Sequence, residues 1–175
     1  MRVRQPIIHE SEYPEDIRFI VYGHSVPKAR ARTVGGQPVE QADGTFKKGK
    51  SHTFTPKTTV EWEASIYGQS LASKPPYPWR GGVALGVLFF KRIPKTKRKK
   101  FERSGGLMRP VGARDDYDNL IKTVKDALNG IYWLDDGQVV EYIPVEIEGK
   151  ELHPGKYFSD LPRIEILVKF LDDVM

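Results

Sequence analysis

Apolar positions along this chain fall into a few short runs and two helical stripes, and together they predict the order strand, helix, strand, helix, strand, strand. Ile17-Arg-Phe-Ile-Val-Tyr22 is a compact apolar run that stops at Gly23, as a strand does. Over Thr59–Ala72 the residues Val60, Ala64, Tyr67 and Leu71 recur at helical spacing, and Lys74-Pro-Pro-Tyr-Pro78 ends the pattern. Gly82–Phe90 is continuously apolar and reads as a buried strand. Asp118–Asn129 is the clearest helix. Leu120, Ile121, Val124, Ala127 and Leu128 fall within one arc of about 120° at 100° per residue, with Lys122, Lys125, Asp126 and Asn129 opposite. Asp118 and Asn119 suit its start and Gly130 its stop. Gln138–Ile147 and Arg163–Leu171 read as two closing strands.

The stretches between these elements are polar. Residues 1–16 read as a loose start. Residues 24–58 contain Pro27, Pro38, Pro56, Gly35-Gly36, Gly44 and Gly49, and read as a long basic loop or hairpin. A loop of that length inside one domain is usually functional or disordered. Ile93–Ser104 reads as a Pro-started helix or loop, ended by Gly105-Gly106. There is no internal repeat and no interdomain linker, so the chain reads as one domain over 1–175. Two terminal strands in succession favour an α/β (α+β) fold: a small mixed sheet of about four strands with the two main helices on one face.

Composition narrows the function. Of the 175 residues none is cysteine, which excludes a disulfide scaffold, a thiolate zinc site and a cysteine nucleophile, and is compatible with a reducing cytosol. No apolar run approaches the ~20 residues of a spanning helix, and the N-terminal residues lack the apolar core of a signal peptide. The expectation is a cytoplasmic protein with no membrane partner. The net charge of +5 is unevenly spread. Residues 91–114 hold ten Lys/Arg and one acid, whereas residues 115–175 hold six Lys/Arg and fourteen acids. A basic stretch abutting an acidic one asks for a polyanion and a cation in the same molecule.

The acidic residues cluster at one place. Arg114-Asp-Asp-Tyr-Asp-Asn119 sets three carboxylates into four residues at a helix entrance, and Asp135-Asp136 follows in a turn before a strand. Clustered carboxylates are tolerated when a cation sits among them, and an all-oxygen donor set selects Mg²⁺, with Mn²⁺ as a substitute. Carboxylate-held Mg²⁺ beside a phosphate-binding surface is the chemistry of phosphodiester hydrolysis. Lys122 lies one turn after Asp118, on its face, where it orients that carboxylate or meets the scissile phosphate. Taken singly, each of these residues has a plainer role, as a helix cap, a turn or a solvated lysine. The combination is what points to catalysis.

The basic residues offer two patches for DNA. The stronger is Lys91, Arg92, Lys95, Lys97, Arg98, Lys99 and Lys100, with Arg103, just ahead of the carboxylates. The second is Lys28, Arg30 and Arg32. Tyr77, Trp79, Tyr132 and Trp133 are candidates to stack on unpaired bases, with core packing the stronger reading for Trp133. His9, His24, His52 and His153 have no ligand spacing, and Glu146, Glu148 and Glu151 read as a solvated face. For a dimer face, strand edges and the apolar residues of Val83–Phe90 are the candidates.

The block Asp116-Tyr-Asp-Asn-Leu-Ile-Lys122, then Asp126-Ala-Leu128, then Trp133-Leu-Asp-Asp136 and Gln138-Val-Val140 resembles the RusA family of Holliday-junction resolvases. Pro27-Lys-Ala-Arg-Ala-Arg32, Thr55-Pro-Lys57 and the basic run from Ile93 to Lys100 extend the resemblance over most of residues 17–171. It implies a RusA-like mixed α/β fold and a homodimeric, Mg²⁺-dependent endonuclease that makes paired nicks in four-way DNA junctions, in recombination and repair. Asp116, Asp118 and Asp136 are then the metal-binding carboxylates, Asp135 a further candidate, and Lys122 the catalytic lysine. Many such genes belong to phages or prophages, which makes a bacterial or phage-infected cell the expected setting. The chain carries extra residues at its start, in 35–52 and around 101–113, and these bear on substrate preference more than on chemistry. Two alternatives stay open: a broader branched-DNA nuclease acting on flaps or forks, and a non-catalytic DNA-binding protein of the same fold.

Overall fold

The computed structural model describes residues 13–111 and 115–171; most of the expected loose start, Arg114 and the Asp172-Asp173 tail lie outside these. The central sheet has five strands where the sequence suggested about four. β1 (Asp16–Tyr22) pairs antiparallel with β9 (Arg163–Phe170), and β9 pairs antiparallel with β4 (Val83–Arg92). The far edge of β4 is shared. Its first half pairs in parallel with β5 (Val139–Tyr142) and its second half in parallel with β8 (Gly155–Ser159). The C-terminal strand therefore lies in the middle of a mixed sheet.

Two helices, α1 (Lys57–Ser70) and α3 (Tyr117–Leu128), cover one face of this sheet, as the pattern predicts. Alternate residues of β4 (Val83, Leu85, Val87, Phe89) and β9 (Ile164, Ile166, Val168, Phe170) meet Trp62 and Ile66 of α1 and the apolar stripe of α3. All five stripe residues of α3 are buried, and Thr123 joins them. The cap is Asp116, so the helix begins one residue earlier than predicted.

For α1 the predicted face is the wrong one. Thr59, Trp62, Ile66 and Ser70 point inward, while Val60, Ala64, Tyr67 and Leu71 face outward. The helix offers two stripes to the sheet, and Trp62 of the buried one covers more surface than any side chain of the other. Val83–Phe90 is also corrected as a candidate dimer face, because all eight residues are buried. Its second side is covered by the β6–β7 hairpin (Val145–Ile147 and Lys150–Leu152), where Leu88 and Phe90 pack on Val145, Leu152 and Tyr157.

The predicted strand 138–147 is split. Pro144 lacks the N–H needed to continue a ladder, so the chain leaves β4 after Ile143, whose N–H donates to the Leu85 carbonyl at 3.1 Å, and crosses to the other face as β6. Glu148 (φ 50°) and Gly149 (φ 73°) close the β6–β7 hairpin with positive φ at both turn positions, the geometry of a two-residue hairpin loop. Neither β7 nor β8 was expected, since neither shows a sustained apolar alternation. Within the expected loop 24–58, residues 32–54 form a hairpin, β2 (Arg32–Glu40) and β3 (Phe46–Phe54), that pairs with no strand of the central sheet, and Lys57-Thr58 already belong to α1. The basic stretch after β4 is a 3-10 turn over Lys95–Lys97 followed by α2 (Arg98–Arg103). The loose start does not extend to Tyr13, whose ring packs on Tyr77, Trp79 and Phe170 and whose hydroxyl donates to the Tyr77 carbonyl at 2.8 Å. No helix among the described residues is long and apolar enough to cross a membrane.

Candidate active site

The entrance to α3 is held from the sheet. Lys91 of β4 pairs with the Asp115 carboxylate, and Lys156 of β8 donates to the Asp115 carbonyl at 2.7 Å. Asp116 follows as the helix cap, exposed, its carboxylate accepting no hydrogen bond from the helix N–H groups. Asp118 stands in the first turn, where the unpaired N–H groups of the helix favour a negative charge.

From there one stripe of α3 runs Asp118, Ile121, Lys122 and Lys125, at the i, i+3, i+4, i+7 spacing of a single helix face. These four residues, with Asp136 and Tyr142, line one open cleft. Asp136 reaches it because β5 returns alongside β4 immediately after α3 and a 3-10 turn over Asp136–Gln138. The cleft thus brings together Asp118, Lys122 and Asp136. Asp116 sits at the helix entrance and does not line it. Among the described residues no three His, Asp or Glu side chains converge at metal-holding distance. The carboxylates that share the cleft are those of Asp118 and Asp136, both open to solvent, and their oxygens suit a hard divalent cation that keeps several waters.

Asp135 is committed to the turn. Its carboxylate accepts from the Gly137 N–H at 2.8 Å, and Gln138 completes a capping box. Gln138 is the positioning residue of this turn. Its carbonyl oxygen accepts from the N–H groups of Leu134 (2.8 Å) and Asp135 (2.9 Å), and its amide donates to the carbonyls of Trp79 (3.0 Å) and Gly81 (2.8 Å).

Two lining residues escaped the sequence reading. Lys125 places its ammonium 3.8 Å from Asp136, and its i+7 spacing from Asp118 was the available signal. Tyr142 closes the cleft from β5. Burial, then the charges of Asp118 and Asp136, raise its phenol above the ordinary tyrosine pKa. Nothing in the local sequence marks that role.

The basic residues divide by partner. Lys28 is half-buried and bonds Glu63 (2.5 Å) and Asp126 (2.8 Å), which ties the segment before β2 to both helices. Lys97 lies over the Phe158 ring and Arg98 pairs with Asp160 at 2.5 Å. Arg30, Arg32, Arg92, Lys95, Lys99 and Lys100 are exposed. Two of the aromatic stacking candidates, Tyr132 and Trp79, are corrected, and Trp133 takes the core position that is its stronger reading. Tyr132 and Trp133 are wholly buried in the main core, and Trp79 packs against it with its indole N–H donating to Gly82 and Leu171 carbonyls. Tyr77 packs against Tyr13.

Comparison with known proteins agrees with this architecture. A family model described as endodeoxyribonuclease RusA matches residues 35–169, a span that contains every residue of the cleft. The uncharacterized protein YqaN of Bacillus subtilis (strain 168) is 30% identical over 157 residues, which cover 87% of this chain and 95% of that protein. With α3, the Asp136 turn and the strands β4, β5 and β8 all inside the matched span, the chain belongs to the RusA endodeoxyribonuclease family.

Proposed function

We propose that this protein is a divalent-cation-dependent, structure-selective endonuclease that hydrolyses phosphodiester bonds in four-way DNA junctions, as a homodimer. The observation that carries the reading is the placement of Asp118, Lys122 and Asp136 around one cleft of a RusA-family chain. Asp118 and Asp136 would hold Mg²⁺, with Mn²⁺ as a substitute, and Asp116 would add a carboxylate from the helix entrance. The bound ion would supply an activated water and neutralise charge on the reacting phosphate. Lys122, one turn from Asp118, presents a positive charge to the non-bridging phosphate oxygens as negative charge builds there. Water adds to phosphorus and the phosphodiester parts into a phosphate monoester and an alcohol. A junction has two equivalent strands to cut, and a two-fold dimer presents two equivalent sites. The exposed Arg92, Lys95, Lys99 and Lys100 supply phosphate contacts.

Cleavage of an end-labelled four-way junction and of matched linear duplex, with Mg²⁺ and with chelator, tests the reading. Paired, Mg²⁺-dependent nicks confined to the junction are expected. Asp118→Asn should bind the junction normally and lose at least about 100-fold in cutting. Equal cutting of both substrates would make it a broader nuclease, and tight binding without cutting a binding protein.

A further inference from the structure

The β2–β3 hairpin makes no extensive contact with the rest of the described fold. Neither strand contains a buried residue, and the two strands pair only with each other. Such a ribbon is at best marginally stable alone in water. Its chemistry is polarised. β3 carries Lys47, Lys48, Lys50 and His52 and no acid. The two acids of the hairpin, Glu40 and Asp43, lie at or next to its turn, and Asp43 is already bonded to the Thr45 N–H (2.9 Å) and hydroxyl (2.6 Å). Phe46 is 69% exposed at the turn end of the ribbon, with Val39 59% exposed nearby.

The root of the ribbon is fixed to α3, the helix that supplies one wall of the active-site cleft. The Lys28 N–H donates to the Asn119 carbonyl at 2.9 Å, and the Thr123 hydroxyl donates to the Val26 carbonyl at 3.2 Å. Asn119 follows Asp118 in the first turn of α3, so the chain is held at the turn that carries the carboxylate and then passes the exposed Arg30 and Arg32 into β2. Halfway along, Gly36 faces Gly49 with register shifts on both sides. A Cβ on Gly36 would fall 2.3 Å from the Lys50 carbonyl oxygen, and one on Gly49 2.1 Å from that of Gln37. Only glycine allows this approach, and such irregularities bend and twist a ribbon.

We propose that the β2–β3 ribbon is a DNA-gripping arm: its lysines neutralise phosphates of the duplex beyond the scissile bond, and Phe46 at its tip contacts unpaired bases at the branch point. A two-stranded ribbon fits the major groove. Nine residues per strand extend about 30 Å. Lysines that served only to discourage edge-to-edge strand pairing would not account for an exposed phenylalanine at the tip or for a root pinned next to Asp118. The inference rests on the nuclease reading.

The test is binding to a four-way junction and to linear duplex, in chelator, between about 50 and 200 mM salt. Lys47→Ala/Lys48→Ala/Lys50→Ala should lower the slope of log affinity against log salt by about 2–3 and weaken junction binding at least about tenfold. Phe46→Ala should leave the slope unchanged, reduce the preference for junction over duplex, and lose the fluorescence change of a 2-aminopurine at the branch point. The ribbon lies outside both cores, so the variants should keep the wild-type melting temperature. An unchanged salt slope in the lysine variant, with wild-type protein cutting junctions, overturns the arm and leaves the nuclease standing. Wild-type protein that neither binds nor cuts DNA overturns both. A loss of oligomeric mass in Phe46→Ala, with the lysine variant's slope unchanged, would assign the ribbon to a second copy of the chain and overturn the DNA arm.

Discussion

The ammonium of Lys125 lies 3.8 Å from a carboxylate oxygen of Asp136, across the cleft between α3 and the turn that follows it. An ammonium in that position competes with a divalent cation for the same oxygen. Asp136 is nearly half exposed, so a pair of this kind is worth under about 1 kcal/mol. Lys125→Met should therefore lower the Mg²⁺ concentration at half-maximal cleavage by about two- to fivefold. A Mg²⁺ titration of the cleavage rate reads this directly; an unchanged or higher midpoint would remove Lys125 from the cation's surroundings.

Gln138 should behave as the clamp of the Asp136 turn. Gln138→Ala removes four hydrogen bonds and leaves the carbonyls of Trp79 and Gly81 without that donor. The expected cost is about 2 kcal/mol, a fall in melting temperature of roughly 4–8 °C. Cleavage at saturating DNA should drop as well, because Asp136 is no longer held. A variant with lowered stability but wild-type cleavage and Mg²⁺ midpoint would make Gln138 purely structural.

Lys28 sets an alkaline limit on stability. Burial opposes its charge, but the hydrogen bonds and charges of Asp126 and Glu63 outweigh burial and hold its pKa above the ordinary lysine value. A base whose folded pKa is raised contributes stability that is complete below its unfolded pKa, about 10.4, and is lost as pH rises through the folded value. Lys28→Met should be less stable than wild type at pH 8, and the gap should shrink above about pH 10.4. Urea midpoints at the two ends of that range measure it; a gap independent of pH would mean the ion pairs contribute nothing.

Gly86 is required by the second layer of the fold. A Cβ there would lie 2.5 Å from a methyl of Val145 and 3.0 Å from the Ile143 carbonyl oxygen. Gly86→Ala should destabilise by about 1–3 kcal/mol. Adding Val145→Ala should cost less in that background than in wild type, a coupling that a double-mutant cycle resolves. Additive losses would show that the hairpin moves aside freely.

The α3 stripe was legible because Leu120, Ile121, Val124, Ala127 and Leu128 leave only one apolar face to bury, and the same helix displays Asp118 and Lys122 on another. The Asp136 turn was legible because an Asp-Asp-Gly sequence before an apolar run marks a turn before a strand. For α1 the local pattern is ambiguous. Val60, Ala64, Tyr67 and Leu71 form as regular a stripe as the buried one, and only the position of the sheet selects Trp62 and Ile66. β7 and β8 are short, and their pairing depends on distant strands, so no local periodicity announces them.

Sequence alone thus determined the helical carriers of the carboxylates, the charge asymmetry and the family motif, all of which are properties of neighbours along the chain. Tertiary structure decided which side chains share the cleft. Lys125 and Tyr142 join Asp118 and Asp136 because β5 returns beside β4, and Lys28 and Lys91 are drawn into ion pairs because α1, α3 and the sheet bring acids to them. Tyr132 and Trp133 are claimed by the core for the same reason: burying a large ring stabilises the fold wherever packing offers it a place.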